Sequence, residues 1–461
     1  MRRLGTALLA LAALVGLAPA AQAAETDIKV ALQHIPGLTI VKEDPAPAGF
    51  RFFELTFTQP ADHRHPQAGT FQQRFTLLHR DFSAPTVAFT SGYNVSTAPN
   101  RSEPTQIVDG NQLSMEYRYF LSRPEPENWS KQLTIWQAAA DEHDAVQAFK
   151  AIYPGKWLAT GGSKGGMTAT YFRRFFPNDV NGTIPYVAPN EVVRNGTYNR
   201  FLAQVGDDPT CRANLKALQR DALKRRDELG ALAAKDAAKN GYTFTIVGSA
   251  DESLEIAVID SYFAFWQYQK QADCATVPPV GAPAAQVYAW FERVESLNTY
   301  SDQELGPFIP YYYQAAAQLN APEAYDSYLR DLLRYPGADA PQTFVPKSVK
   351  IPPFDWFAMT DIDLWVKAHG SQMLFIYGAN DPWGAEPFQL GYGSRDSYRY
   401  FVAGGNHGSR IAQLPADQAA VATAAVRRWA GLPPTAATFR PNTAGFPLFD
   451  ADLSMVDHPR L

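Results

Sequence analysis

Cysteine is nearly absent: Cys211 and Cys274 are the two in 461 residues. So low a count excludes a small scaffold stapled by many disulfides, and no Cys or His spacing suggests a metal centre. In an oxidising compartment two lone cysteines usually pair, and a Cys211–Cys274 bridge is expected. Beyond the N-terminal segment there is no stretch of about 18 uncharged apolar residues, so no membrane-spanning helix is expected in the mature chain. A basic excess is also missing. Lys and Arg number 41 against 46 Asp and Glu, the formal net charge is -5, and both signs are interspersed, which argues against nucleic acid as a partner. No internal repeat stands out.

What is present points to a large globular core. With 46% hydrophobic and 13% aromatic residues, a chain of this length can bury one big domain carrying an insertion, or two domains. Residues 1–23 have the marks of a secretory signal peptide: Arg2 and Arg3, the apolar run Leu4 to Leu17, and the small-x-small pattern Ala21-Gln22-Ala23. A secreted, extracellular protein is therefore expected.

The rhythm of the remaining chain divides it in three. Residues 24–194 open with alternating, strand-like runs (Phe52 to Phe57, Gln72 to Leu78) and pass into strand and helix in turn: Thr86 to Thr90, Leu133 to Tyr153, Lys156 to Thr160, Gly165 to Phe176. Residues 195–345 read as helices only, as in Leu215 to Lys239 and Ile256 to Gln271. Residues 346–461 resume the rhythm with Met373 to Tyr377, Ser397 to Val402 and the amphipathic helix Ala416 to Trp429. Such alternation predicts an α/β fold with a mostly parallel central sheet flanked by helices, interrupted by a helical cap.

One turn carries the chemistry. The strand ending at Thr160 runs into Gly161-Gly162-Ser163-Lys164-Gly165 and then into a helix, the strand-turn-helix setting of the G-x-S-x-G nucleophile elbow and hence of an α/β-hydrolase. The hydroxyl of Ser163 needs a base and a group to orient that base. Asp381, in Gly378-Ala-Asn-Asp-Pro-Trp383, follows one predicted strand, and His407, in Gly404-Gly-Asn-His-Gly408, follows the next; the chain order Ser, Asp, His is that of this fold. Asp361 and Asp363 are the rival acids. The backbone N–H of Lys164 is one expected oxyanion donor, and that of Tyr93 or Asn94, in the loop after Thr90, is the second. Because the triad accounts for activation of the nucleophile, no metal and no organic cofactor is expected.

At this point the sequence resembles the prolyl tri- and tetrapeptidyl aminopeptidases secreted by actinomycetes. The resemblance is carried by Thr160-Gly-Gly-Ser-Lys-Gly-Gly-Met167 with Thr168 to Arg174, by Tyr186-Val-Ala-Pro-Asn190, and by the turns holding Asp381 and His407. A looser similarity, through Glu116-Tyr-Arg-Tyr-Phe120, links it to the lysosomal prolyl carboxypeptidase and dipeptidyl peptidase group. The resemblance implies a serine exopeptidase that removes short peptides from a free N-terminus by cleaving after proline.

Such an enzyme needs a small aromatic pocket for proline and a desolvated carboxylate for the substrate's ammonium. Trp266, within Tyr262 to Tyr268, and Trp356, within Phe354 to Phe357, are candidates for the pocket; Glu116, Glu191 and Glu252 are candidates for the carboxylate. A monomer acting on peptide substrates is expected. A lipase or esterase with the same triad is the main alternative, and a noncatalytic binding protein on a hydrolase scaffold is the third.

Overall fold

A computed structural model of the chain describes residues 27–434. The segment read as a signal peptide lies outside the described residues. Alternating burial shapes the first strands: β1 (Leu38–Asp44), β2 (Arg51–Pro60) and β3 (Thr70–His79) form an antiparallel ribbon whose apolar residues face inward. The next strands, β4 (Thr86–Thr90), β5 (Asn111–Met115), β6 (Trp157–Gly162), β7 (Gly182–Tyr186) and β8 (Leu374–Gly378), are almost wholly buried, as strands covered on both faces must be. The half-exposed β9 (Tyr398–Val402) closes the far edge.

These nine strands form one sheet in the order β1-β2-β3-β5-β4-β6-β7-β8-β9. From β5 to β9 all neighbours are parallel. One face is covered by the helices Ile135–Lys150, Lys164–Phe175 and Trp356–His369, and the other by Glu103–Val108 and Ala416–Trp429. With Ser163 on the sharp turn between β6 and its helix, this is the α/β-hydrolase fold.

Between Tyr186 and Leu374 the chain forms helices and no sheet strand. The helical run Leu215 to Lys239 falls in two helices, Pro209–Lys224 and Arg226–Asn240, with the backbone breaking at Arg225 between them. Strands β5 and β7 were not expected, since Asn111, Gln112, Gly182 and Pro185 are poor strand formers. Asn111 is held by its environment: its side chain accepts from the Arg80 and Asp81 N–H groups and donates to Asp81 O.

The helix Ala250–Tyr268 joins the helical region to the sheet. Every residue from Ser253 to Tyr268 is buried, so it is a central helix rather than an amphipathic one. Its last turn meets the loop after β9, where His407 N donates to Gln267 O at 2.9 Å and Asn406 Nδ2 donates to Tyr268 O at 2.9 Å. Cys211 and Cys274 form a disulfide that ties the start of Pro209–Lys224 to the turn just beyond this helix.

Candidate active site

The elbow forms because its glycines let backbone meet backbone. A Cβ on Gly161 or Gly165 would overlap the Thr90 carbonyl at the end of β4, whereas one on Gly162 would meet nothing within 4 Å. Ser163 itself sits at φ 55° and ψ -126°, a conformation that L residues adopt only under constraint from their surroundings. Its N–H is held by Tyr186 O at 2.9 Å, and its side chain is hydrogen-bonded to the Tyr93 hydroxyl. Lys164 follows as the first residue of a helix, where backbone N–H groups have no intrahelical acceptor.

The loops after β8 and β9 bring an acid and an imidazole together. Asp381 and His407 are both buried, and His407 Nδ1 donates to Asp381 Oδ2 at 2.8 Å. Asp381 Oδ1 accepts from Trp383 N at 3.2 Å, which fixes the carboxylate against the short 3-10 turn Pro382–Ala385. With Nδ1 donating, Nε2 is the ring nitrogen that can take a proton; it is buried and has no hydrogen-bond partner. The rival acids are occupied elsewhere. Asp361 pairs with Arg174 at 3.0 Å, and Asp363 with Asn190 and Lys367.

Beside Ser163 lies a narrow cavity whose apolar wall is Tyr93, Met167, Pro189, Tyr311, Leu319 and Trp383, and whose polar groups include Gln267, Asn320 and Glu191. Glu191 is buried, and burial pushes its carboxyl well above the ordinary range. Burial likewise raises the Tyr93 hydroxyl, so that it is a neutral donor at physiological pH. Lys164, which also lines the cavity, sends its side-chain amine to the Gly92 carbonyl at 2.8 Å in a fully buried site, and that burial depresses it well below the usual lysine range.

A family model for the PS-10 peptidase S37 group matches residues 21–460. The chain belongs to this family of serine peptidases. It is 50% identical over 476 residues to the prolyl tri/tetrapeptidyl aminopeptidase of Streptomyces mobaraensis, which covers 100% of this chain and 99% of that one. Among solved structures it is similar to the proline iminopeptidase of Mycobacterium smegmatis (13% identity, TM-score 0.34, covering 76% of this chain and 91% of that one). It is also similar to the peroxisomal α/β-hydrolase Lpx1 of Saccharomyces cerevisiae (11% identity, TM-score 0.32, covering 78% and 84%).

Several residues expected in the peptidase's site stand elsewhere. Glu116 accepts from Leu121 N, Ser122 N and Ser122 Oγ, which makes it the clamp of a tight turn. Glu252 sits at the opposite end of its helix from Gln267, 15 residues at about 1.5 Å each, or roughly 22 Å away. Trp266 is fully buried and presses on Gly206, where even a Cβ would strike its ring. Trp356 is 64% exposed and packs on Phe354 at the outer surface. Asn94 adjoins Tyr93 but does not line the cavity. The Tyr93 N–H donates to Ser91 Oγ at 3.0 Å, so its hydroxyl, not its backbone, faces the nucleophile.

Of the expected binding residues, Glu191 is the one that lines the cavity with Ser163. Tyr311 was missed because it lies in a run, Tyr311 to Tyr313, indistinguishable by sequence from helix core. Trp383 was visible in the Asp381 turn, yet nothing in its spacing says that it faces the nucleophile.

Proposed function

We propose that this chain is a secreted exopeptidase that releases tri- or tetrapeptides from free peptide N-termini by cleaving after proline, through an acyl-enzyme on Ser163. The observation that carries the reading is the cavity itself, where Ser163 on its strained turn opens into a narrow aromatic recess containing a buried carboxylate. Identity of 50% with an aminopeptidase of that specificity supports it.

The geometry suits the following sequence of steps. Asp381 holds His407 with Nε2 unprotonated, and this nitrogen takes the Ser163 proton as Oγ attacks the carbonyl carbon of the proline residue. The oxygen turned negative is met by two donors, the Lys164 N–H at the helix start and the neutral Tyr93 hydroxyl, which moves from Ser163 to the oxyanion. His407 then gives its proton to the departing amine, and water repeats the cycle on the acyl-enzyme.

Proline, compact, apolar and without an N–H, suits walls of Tyr311, Met167 and Trp383. Glu191 supplies the negative charge that a free α-ammonium requires and an acylated N-terminus lacks. Export is supported by the Cys211–Cys274 bridge, a bond that persists in oxidising compartments. Among the described residues no helix is long and apolar enough to cross a membrane.

Mass spectrometry of the products from a peptide Ala-Ala-Pro-Xaa with a long tail tests the reading. Release of Ala-Ala-Pro is expected; release of single residues, or internal cleavage of blocked peptides, contradicts it.

A further inference from the structure

The cavity beside Ser163 does not end at Glu191. Glu191 and Asn320 also belong to an adjoining recess, whose walls include Arg194, Tyr198, Glu323 and Glu386. Two loops build the partition. Asn190 N donates to Glu386 O at 2.9 Å and Pro189 bridges antiparallel to Pro387, so the segment leaving β7 runs beside the segment that follows Asp381. That pairing places Glu191 next to Glu386.

The recess carries more negative charge than it neutralises. Glu191 is 3% exposed; its Oε1 accepts from the Tyr198 hydroxyl at 3.1 Å, while its Oε2 is buried with no hydrogen-bond partner. The guanidinium groups nearby are turned to neutral acceptors. Arg194 Nε donates to Asn320 Oδ1 at 3.0 Å, and Arg200 donates to Asn195 O and Thr197 Oγ1 at 2.9 Å each. Among the described residues Glu191, Glu323 and Glu386 form no direct salt bridge, although the Arg194 charge acts on Glu191 and the Arg200 charge on Glu386. Burial raises the Glu191 carboxyl and the Glu386 charge adds to the rise, against the Tyr198 hydrogen bond and the Arg194 charge, which lower it; burial raises Glu386 too, against hydrogen bonds from Thr197 and Asn195 and the Arg200 charge, with Glu323 adding to the rise. Uncompensated buried carboxylate is costly unless a cation arrives to meet it. No group of three or more His, Cys, Asp or Glu among the described residues is arranged to hold a metal ion, which leaves an organic ammonium as the cation of matching chemistry.

We infer that Glu191 and Glu386 together form a paired-carboxylate clamp for the α-ammonium of the substrate, with Glu323 at its rim, so that the recess beyond Glu191 is where the released peptide's N-terminus ends. The inference rests on the proposed exopeptidase reading and adds Glu386 as a specificity residue. One end of the substrate is then held at Ser163 and the other at the carboxylates, and the span between them sets how many residues leave.

The test compares kcat/KM on Ala-Ala-Pro-aminomethylcoumarin and on its N-acetylated twin, for the wild type and Glu386→Gln, with thermal unfolding to verify that the variant is folded. The clamp predicts that the preference for the free amine falls at least tenfold in Glu386→Gln, mainly through KM. An unchanged preference in a folded variant overturns the clamp and leaves the exopeptidase reading standing. A wild type with no preference for the free amine overturns both. A second measurement needs no variant. An ammonium favours the ionised carboxylates, so KM for the free peptide should rise as pH falls from 7 to 5, a range where the peptide amine stays protonated, and KM for the acetylated twin should not follow. A free-peptide KM that is flat over this range contradicts the clamp.

Discussion

Lys164 Nζ donates to the Gly92 carbonyl oxygen at 2.8 Å and lies 3.0 Å from the centre of the Tyr117 ring. The residue after the nucleophile thus reaches beneath the site and fastens the loop that carries Tyr93. Gly92 is pressed so closely on the same helix that a Cβ there would lie 2.5 Å from Gly165 N. The buried Lys164 amine lies against the aromatic face of Tyr117, and buried Glu142 partly offsets the burial that depresses it, while burial raises the Glu142 carboxyl in turn.

If Lys164 acts by positioning Tyr93, Tyr93→Phe should lower kcat about 10²-fold by removing one oxyanion donor. Lys164→Met should lower kcat by about 10-fold or more with a smaller change in KM, and the double variant should lose little beyond Tyr93→Phe. Steady-state kinetics on the four proteins decides it; fully additive losses would show that the two residues act independently. Lys164→Arg is not expected to rescue, because a planar guanidinium does not fit the fully buried site.

The elbow makes a contrast within one motif. Gly162→Ala should keep the fold and most of the activity, since its Cβ enters open space. Gly161→Ala and Gly165→Ala should displace the elbow against Thr90 and abolish activity, with loss of stability on the order of 1–3 kcal/mol. Thermal melts beside activity assays read both effects, and equal behaviour of the three variants would contradict the elbow packing.

The strand-and-helix rhythm, the elbow and the two post-strand turns were legible because each is a local pattern: buried runs, a glycine spacing, a residue placed just after a strand. The amine site was not. Glu191 and Glu386 meet only because β7 and β8 are neighbours in the sheet, and Glu116 and Glu252 look equally suitable until the fold shows one clamping a turn and the other at the wrong end of a helix. The run Glu116 to Phe120 is similarly instructive. Its residues lie under the site as support: Glu116 fixes a turn, Tyr117 faces Lys164, and Arg118, fully buried, pairs with Asp141.

That last pair extends to a titrating histidine. Burial opposes the charge on His63, but hydrogen bonds to Asp141 at 2.7 Å and to Asp144 outweigh it and lift the imidazole to about 9. A raised value means that the folded state holds the proton more tightly, so the stabilisation is fully present below about pH 6.5 and is lost as pH rises through about 9. The gap in melting temperature between wild type and His63→Gln should therefore be widest near pH 6, corresponding to at most about 3 kcal/mol, and should close by about pH 10. A gap that widens with pH would contradict the ion pair.

The central claim, an N-terminal prolyl peptidase working through Ser163, is tested most directly by the release of aminomethylcoumarin from Ala-Ala-Pro-aminomethylcoumarin. It is measured beside the N-acetylated twin and a short-chain nitrophenyl ester, for the wild type and Ser163→Ala. Rapid cleavage of the free peptide by the wild type, little of the acetylated one, and a loss of at least about 10⁴-fold in Ser163→Ala are predicted. Turnover of the ester alone, or peptide cleavage that survives in Ser163→Ala, would contradict the account.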